Sequence, residues 1–120
     1  MIEKMEITSI KTEVKPDLEK YINKKIGRLD RFLPRHARRS AHAQVTLRES
    51  GRGKVRNLMC EVTLNIPDKV LTAKETSTNM FSSVDIVESK LTTQLRKYKD
   101  MHTSGRSKRL ARKVVGRFRR

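Results

Sequence analysis

Four basic residues, Lys20, Lys24, Arg28 and Arg31, recur at intervals of four, four and three positions in the first third of the chain. On a helix that spacing sets them along one side over about 16 Å, close to the span of two to three phosphates along a strand. The chemistry open to such a row is electrostatic. Ammonium and guanidinium groups neutralise phosphates and release counterions, with no bond made or broken. A lone stripe of this kind usually ends as a solvated helix face. Here a second set, Lys90, Arg96, Lys97 and Lys99, falls in a later helical stretch. A third run includes Arg106, Lys108, Arg109, Arg112 and Lys113, in a segment, 102–120, with eight Lys/Arg and no Asp or Glu. The net charge of +16 is therefore blocky: residues 1–60 carry fifteen basic and seven acidic side chains, while 61–101 balance at six of each. Two separated blocks of one sign suit two contact regions on one polyanion, with nucleic acid the first candidate.

Other chemistries find no matching residues. His36, His42 and His102 have no ligand spacing with one another or with Cys60, so no metal is expected. No glycine-rich phosphate loop and no Ser/His/Asp arrangement stands out. Asp85 and Glu88 share a helical stretch, where helix salt bridges account for them. The expectation is a non-enzyme with no cofactor and no small-molecule substrate. Five aromatics, Tyr21, Phe32, Phe81, Tyr98 and Phe118, are too few for a base-stacking platform, and the first four lie on or beside apolar helix faces. Recognition should then run through phosphates and shape and read little sequence. A single cysteine rules out an internal disulfide and fits a reducing compartment. The N-terminus lacks an apolar signal core, and no stretch approaches the roughly 20 apolar residues of a membrane span, so a cytoplasmic protein without a membrane partner is expected.

The elements that must hold these cations can be read from periodicity. Met5 and Ile7 alternate with polar neighbours as a short strand. Pro16 and Asp17 open a helix in which Leu18, Ile22, Ile26, Leu29 and Leu33 share one face until Pro34 ends it. Residues 35–40 read as a basic loop. Ala43, Val45 and Leu47, then Leu58, Cys60, Val62, Leu64 and Ile66, alternate along two strands separated by the glycine-bearing connection at 50–54. Residues 67–69 form a turn, 70–76 a fourth strand, and Ser77, Thr78 and Asn79 offer caps for a second helix. In it Met80, Val84, Val87, Leu91, Leu95 and Tyr98 line one face. Polar residues on the other sheet face force both helices to one side. The fold class is α+β: a β-α-β-β-β-α two-layer sandwich, a four-stranded sheet with two helices on one face, and a disordered basic C-terminal tail. Residues 1–101 form the domain and 102–120 the tail.

The stretch Asn79 to Lys99, NMFSSVDIVESKLTTQLRKYK, resembles the last helix of the ribosome hibernation-promoting factor family, also called the ribosome-associated inhibitor family. The resemblance rests on Met80 to Asp85, Lys90-Leu91 and Gln94 to Lys97. The opening, MEITSIKTEVKPDLEKYINKKIGRLDRF, and the VLTAKE stretch at Val70 to Glu75 are similar to the family as well. Asn79 stands where the family usually has Asp, and Thr93 where many members have Arg. No second, dimerising domain is recognisable, so the chain resembles a short form, and the basic tail is atypical of such forms. The resemblance implies binding to the small ribosomal subunit, in the channel where mRNA and tRNAs pass, with the helices facing ribosomal RNA. It implies blocked translation, preservation of idle ribosomes, a bacterial cytoplasmic setting and a monomer off the ribosome. Carried over by position, it adds Lys25 to Lys24, Arg28, Lys90, Arg96, Lys97 and Lys99. The rival reading is a free-standing double-stranded RNA-binding module, since α-β-β-β-α is embedded in this order.

Overall fold

Strand β3, Asn57–Ile66, is the spine of the fold, because its even-numbered residues are all buried and its odd-numbered ones are not. We describe residues 1–67 and 69–102 of a computed structural model; the tail, with Arg106, Lys108, Arg109, Arg112 and Lys113, lies outside these. The chain runs through β1 (Lys4–Ile10), α1 (Pro16–Gly27), a 3₁₀ turn (Arg28–Phe32), α2 (Arg35–Arg38), β2 (His42–Ser50), β3, β4 (Lys69–Ser77) and α3 (Met80–His102). The strands stand in sequence order, β1-β2-β3-β4. The β1–β2 pair is parallel and the other two are antiparallel. The α+β sandwich read from the periodicity is the fold observed.

Register sorts the side chains into two faces. Val45 sits opposite Ile7 and Val62, and Val62 opposite Ala73, so one layer of apolar residues crosses all four strands. On that side both long helices dock. Leu18, Ile22 and Ile26 of α1, and Met80, Val84, Val87, Leu91, Leu95 and Tyr98 of α3, are buried in the same cluster as the sheet residues. The outer face holds Thr8, Thr46, Thr63, Thr72 and Gln44, with Lys4, Arg48 and Lys74 against Glu6 and Glu61. It is close to neutral.

Pro16 sits in the first turn of α1, and the Leu18 amide donates to Asp17 Oδ1 at 2.9 Å. For α3, the Phe81 amide donates to Asn79 Oδ1 at 2.9 Å, so Asn79 keeps the capping role without a full charge. Two expectations are corrected. The first helix does not run as one α-helix to Pro34; it tightens at Gly27 into the 3₁₀ turn, which still buries Leu29. Gly27 itself is buried, because Met1 and Ile2 lie across it and the Ile2 amide donates to the Gly27 carbonyl at 2.9 Å. Residues 35–38 are a short helix instead of loop, held by buried Ala37. The second helix extends through His102.

Candidate nucleic-acid interface

Helices α1 and α3 run side by side in the same sense over the sheet. Tyr21 of α1 meets Phe81 of α3 edge to face at 5.0 Å, and farther along, Arg96 of α3 reaches Phe32 just past α1. With Leu18, Ile22 and Ile26 pinned to the core, helical geometry turns Lys20 and Lys24 away from the sheet, and both are exposed. Tyr21, Lys25 and Arg28, spaced four and three apart, instead line the wall facing α3. Phe81, Asp85, Glu88, Thr92 and Arg96 form the opposite wall.

The first half of this groove is a mixed-charge network. Tyr21 Oη donates a hydrogen bond to Asp85 Oδ1. That bond, then burial and the nearby charges of Asp85 and Glu88, push the Tyr21 phenol up to about 12, while Arg28 pulls the other way. Lys25 Nζ stands 3.7 Å from the same Asp85 oxygen and 5.6 Å from the Tyr21 ring centre. Arg28 is half-buried, and its Nε is buried without a hydrogen-bond acceptor. Lys25 and Arg28 are therefore walls of the groove, where sequence alone suggested outward rows.

The second half changes character. Phe32 is half-buried, and the guanidinium carbons of Arg31 and Arg96 lie 4.8 Å and 5.8 Å from its ring centre. Both arginines are exposed and, among the described residues, neither is in an ion pair. Lys99 belongs to the same side of α3 by helical spacing and is exposed. The groove thus passes from charge-balanced near Asp85 to arginine-rich near Phe32.

Lys90 and Lys97 fall on the other flank of α3. Lys90 Nζ pairs with Glu75 Oε2 at 2.9 Å and donates to the Lys74 carbonyl at 3.0 Å. The hydrogen bond from Lys90, foremost, holds the Glu75 carboxyl below its ordinary value. One turn on, Gln94 Nε2 donates to the Thr72 carbonyl at 3.1 Å. Two successive carbonyls of edge strand β4 are thus taken up by side chains four apart on α3. Lys97 remains exposed beyond them.

Sequence reasoning missed three things. It listed Phe32 with the core, whereas the ring also carries two guanidiniums. It passed over α2, where Arg35, His36, Arg38 and the adjoining Arg39 are all exposed; the basic run signalled charge but not the helix that gathers it. It treated Asp85 as an incidental helix charge, whereas Asp85 joins the two helices. Among the described residues no group of three or more His, Cys, Asp and Glu is placed to hold a metal, and no helix is long and apolar enough to cross a membrane. Cys60 is fully buried, and burial followed by the Glu61 charge pushes its thiol up to about 12.

With this geometry in place, the similarities to known proteins can be read. The sequence profile of the Sigma 54 modulation protein / S30EA ribosomal protein family matches residues 5–103. The chain belongs to this family. Its S30EA-type segment is 36% identical over 96 residues to the ribosome hibernation promotion factor of Lactococcus lactis, covering 80% of this chain and 49% of that protein. It is 31% identical over 94 residues to the factor of the same name from Deinococcus radiodurans, covering 78% and 48%. The chain spans about half the length of these curated relatives. Among solved structures, the N-terminal domain of Thermus thermophilus Protein Y superposes with a TM-score of 0.66 at 20% identity, covering 78% of this chain and 94% of that one, which shows the shared fold. A ribosomal subunit interface protein from Coxiella burnetii superposes at 0.63 with 25% identity, covering 80% and 97%. The family resemblance carried by Met80 to Lys97 and by the opening segment is the family found.

Proposed function

We propose that this S30EA-family chain is a cytoplasmic ribosome hibernation factor. It binds the small ribosomal subunit through ribosomal RNA in the mRNA and tRNA channel, blocks translation and preserves idle ribosomes. The observation that carries this reading is the asymmetry of the sandwich. One face is a near-neutral sheet; the other is two side-by-side helices whose Lys20, Lys24, Arg31, Arg96, Lys97 and Lys99 are exposed without an ion pair among the described residues. The relatives named ribosome hibernation promotion factor share this half of their length.

The test is sedimentation of the purified chain with small subunits across a salt series. If the seven helix cations outside the Lys25–Asp85 and Lys90–Glu75 pairs neutralise six or seven phosphates, log affinity falls with log salt at a slope of about −4 to −6. Reversing Lys24 and Arg28 to Glu weakens binding far more than reversing Arg52 and Lys54 in the β2–β3 connection. Subunits preloaded with mRNA and tRNA exclude the chain. Equal loss from the two double reversals, or equal affinity for isolated duplex RNA, would refute the reading, the latter in favour of a duplex-RNA module.

A further inference from the structure

The cationic end of the groove is built from two separate elements that meet on one ring. Arg31 comes from the 3₁₀ turn and Arg96 from the fifth turn of α3, yet their guanidinium carbons lie 4.8 Å and 5.8 Å from the centre of Phe32. Both guanidiniums thus rest against one ring, and no carboxylate among the described residues pairs with either. The negative π-face of the ring attracts each of them and gives both side chains a common support. Phe32 can serve this way because it is only half-buried, its inner part packing against the core. A flexible, fully solvated arginine would have to be ordered on binding; these two already share a support.

We infer that Arg31, Phe32 and Arg96 form one seat for a single backbone phosphate of RNA. The phosphodiester group fits this site on charge and on shape. It carries one negative charge and two non-bridging oxygens, and each planar guanidinium offers paired N–H donors to such oxygens. Phe32 touches the arginines and not the ligand, so it is a positioning residue. The seat spans the joint between the 3₁₀ turn and α3, so occupying it ties the two elements of the groove to the same strand. The inference rests on the ribosomal RNA reading above and adds to it a stoichiometry: two arginines, one phosphate.

That stoichiometry is what the experiment reads. Binding to small subunits is measured across a salt series for Arg31→Gln, Arg96→Gln, the double variant and Phe32→Leu. Each single arginine variant weakens binding by about tenfold, the scale of one charge-assisted hydrogen-bonding group. The double variant is no more than about threefold worse than either single, because both have lost the same partner. The salt slope falls by about 0.7–0.9 in total, the value of one phosphate. Phe32→Leu keeps apolar volume for the core; it weakens the wild type severalfold and has no effect in the double-variant background. Effects of the two arginines that multiply to about a hundredfold, with twice the slope change, would mean two independent phosphates and overturn the shared seat. A Phe32→Leu loss that persists in the double variant would make the ring structural and overturn its positioning role. Both arginines are exposed, so their cycle stands whether or not the Phe32 variant folds. A wild type that fails to sediment with small subunits overturns the functional reading and this inference together, whereas a bound wild type with multiplying effects overturns the inference alone.

Discussion

Replacing Asp85 with Asn changes one charge at the point where the two helices are joined, and two independent readouts follow. Asp85 accepts from Tyr21 Oη and stands 3.7 Å from Lys25 Nζ. Asparagine has nearly the same shape but cannot stabilise either partner as an anion does. The first readout is the phenol. In the wild type it is held up to about 12, with the Asp85 hydrogen bond as the foremost cause; in D85N it should fall toward the ordinary value of about 10. The sign follows from linkage. A phenol whose folded value is raised contributes stability that is complete below about pH 10 and is lost as pH rises toward 12. D85N should lack that alkaline shoulder, visible as tyrosinate absorbance at lower pH. The second readout is RNA affinity. Freeing Lys25 adds one cation to the groove, which steepens the salt slope by about 0.7–0.9. Over the decade from 1 M to 0.1 M salt, that amounts to about five- to eightfold tighter binding to small subunits at the lower salt. A lowered phenol value with an unchanged slope would place Lys25 beyond reach of the RNA. An unchanged phenol value would show that the Asp85 hydrogen bond is not what holds the proton.

Lys90→Gln leaves the salt slope of small-subunit binding unchanged, because Lys90 is committed to Glu75 and to the β4 backbone; it lowers the melting temperature at pH 7. Since Glu75 is held below its ordinary value in the fold, that stability difference is present at neutral pH and vanishes on acidification as Glu75 takes up its proton. Cys60 in the folded protein is inert to thiol reagents at pH 8 and reacts only at the rate of unfolding, measurable by reaction with and without urea. Leu91→Ala, at a fully buried position on α3, costs about 2–5 kcal/mol in urea denaturation, a large share of the stability of a domain this size.

The strands were legible because their burial alternates almost without exception, and Leu58 to Ile66 needed no other signal. Helix α3 was legible because Met80, Val84, Val87, Leu91, Leu95 and Tyr98 keep one face for about five turns, and Asn79 marks its start. The break at Gly27 was not, because a 3₁₀ turn still sends Leu29 inward and leaves the apolar pattern intact. Nor was the role of Met1 and Ile2, which precede the first strand and become meaningful only where they cross α1; there the Met1 amine pairs with Asp30 at 2.9 Å. Charge was legible as a total but not as an arrangement. Lys90 and Arg96 look alike in the sequence, yet one lies over the β4 edge and the other over Phe32. Which neighbour each meets depends on how α3 is rotated over the sheet, and that rotation is set by contacts far apart along the chain.

Lys90 and Gln94 also decide what the sheet can do in crowded surroundings. A sheet with two bare rims can recruit copies at both sides and lengthen without limit. Here two carbonyls of the β4 rim, those of Lys74 and Thr72, already accept from Lys90 and Gln94 of the same chain. Two side chains of one helix thereby occupy acceptors that an added strand would need.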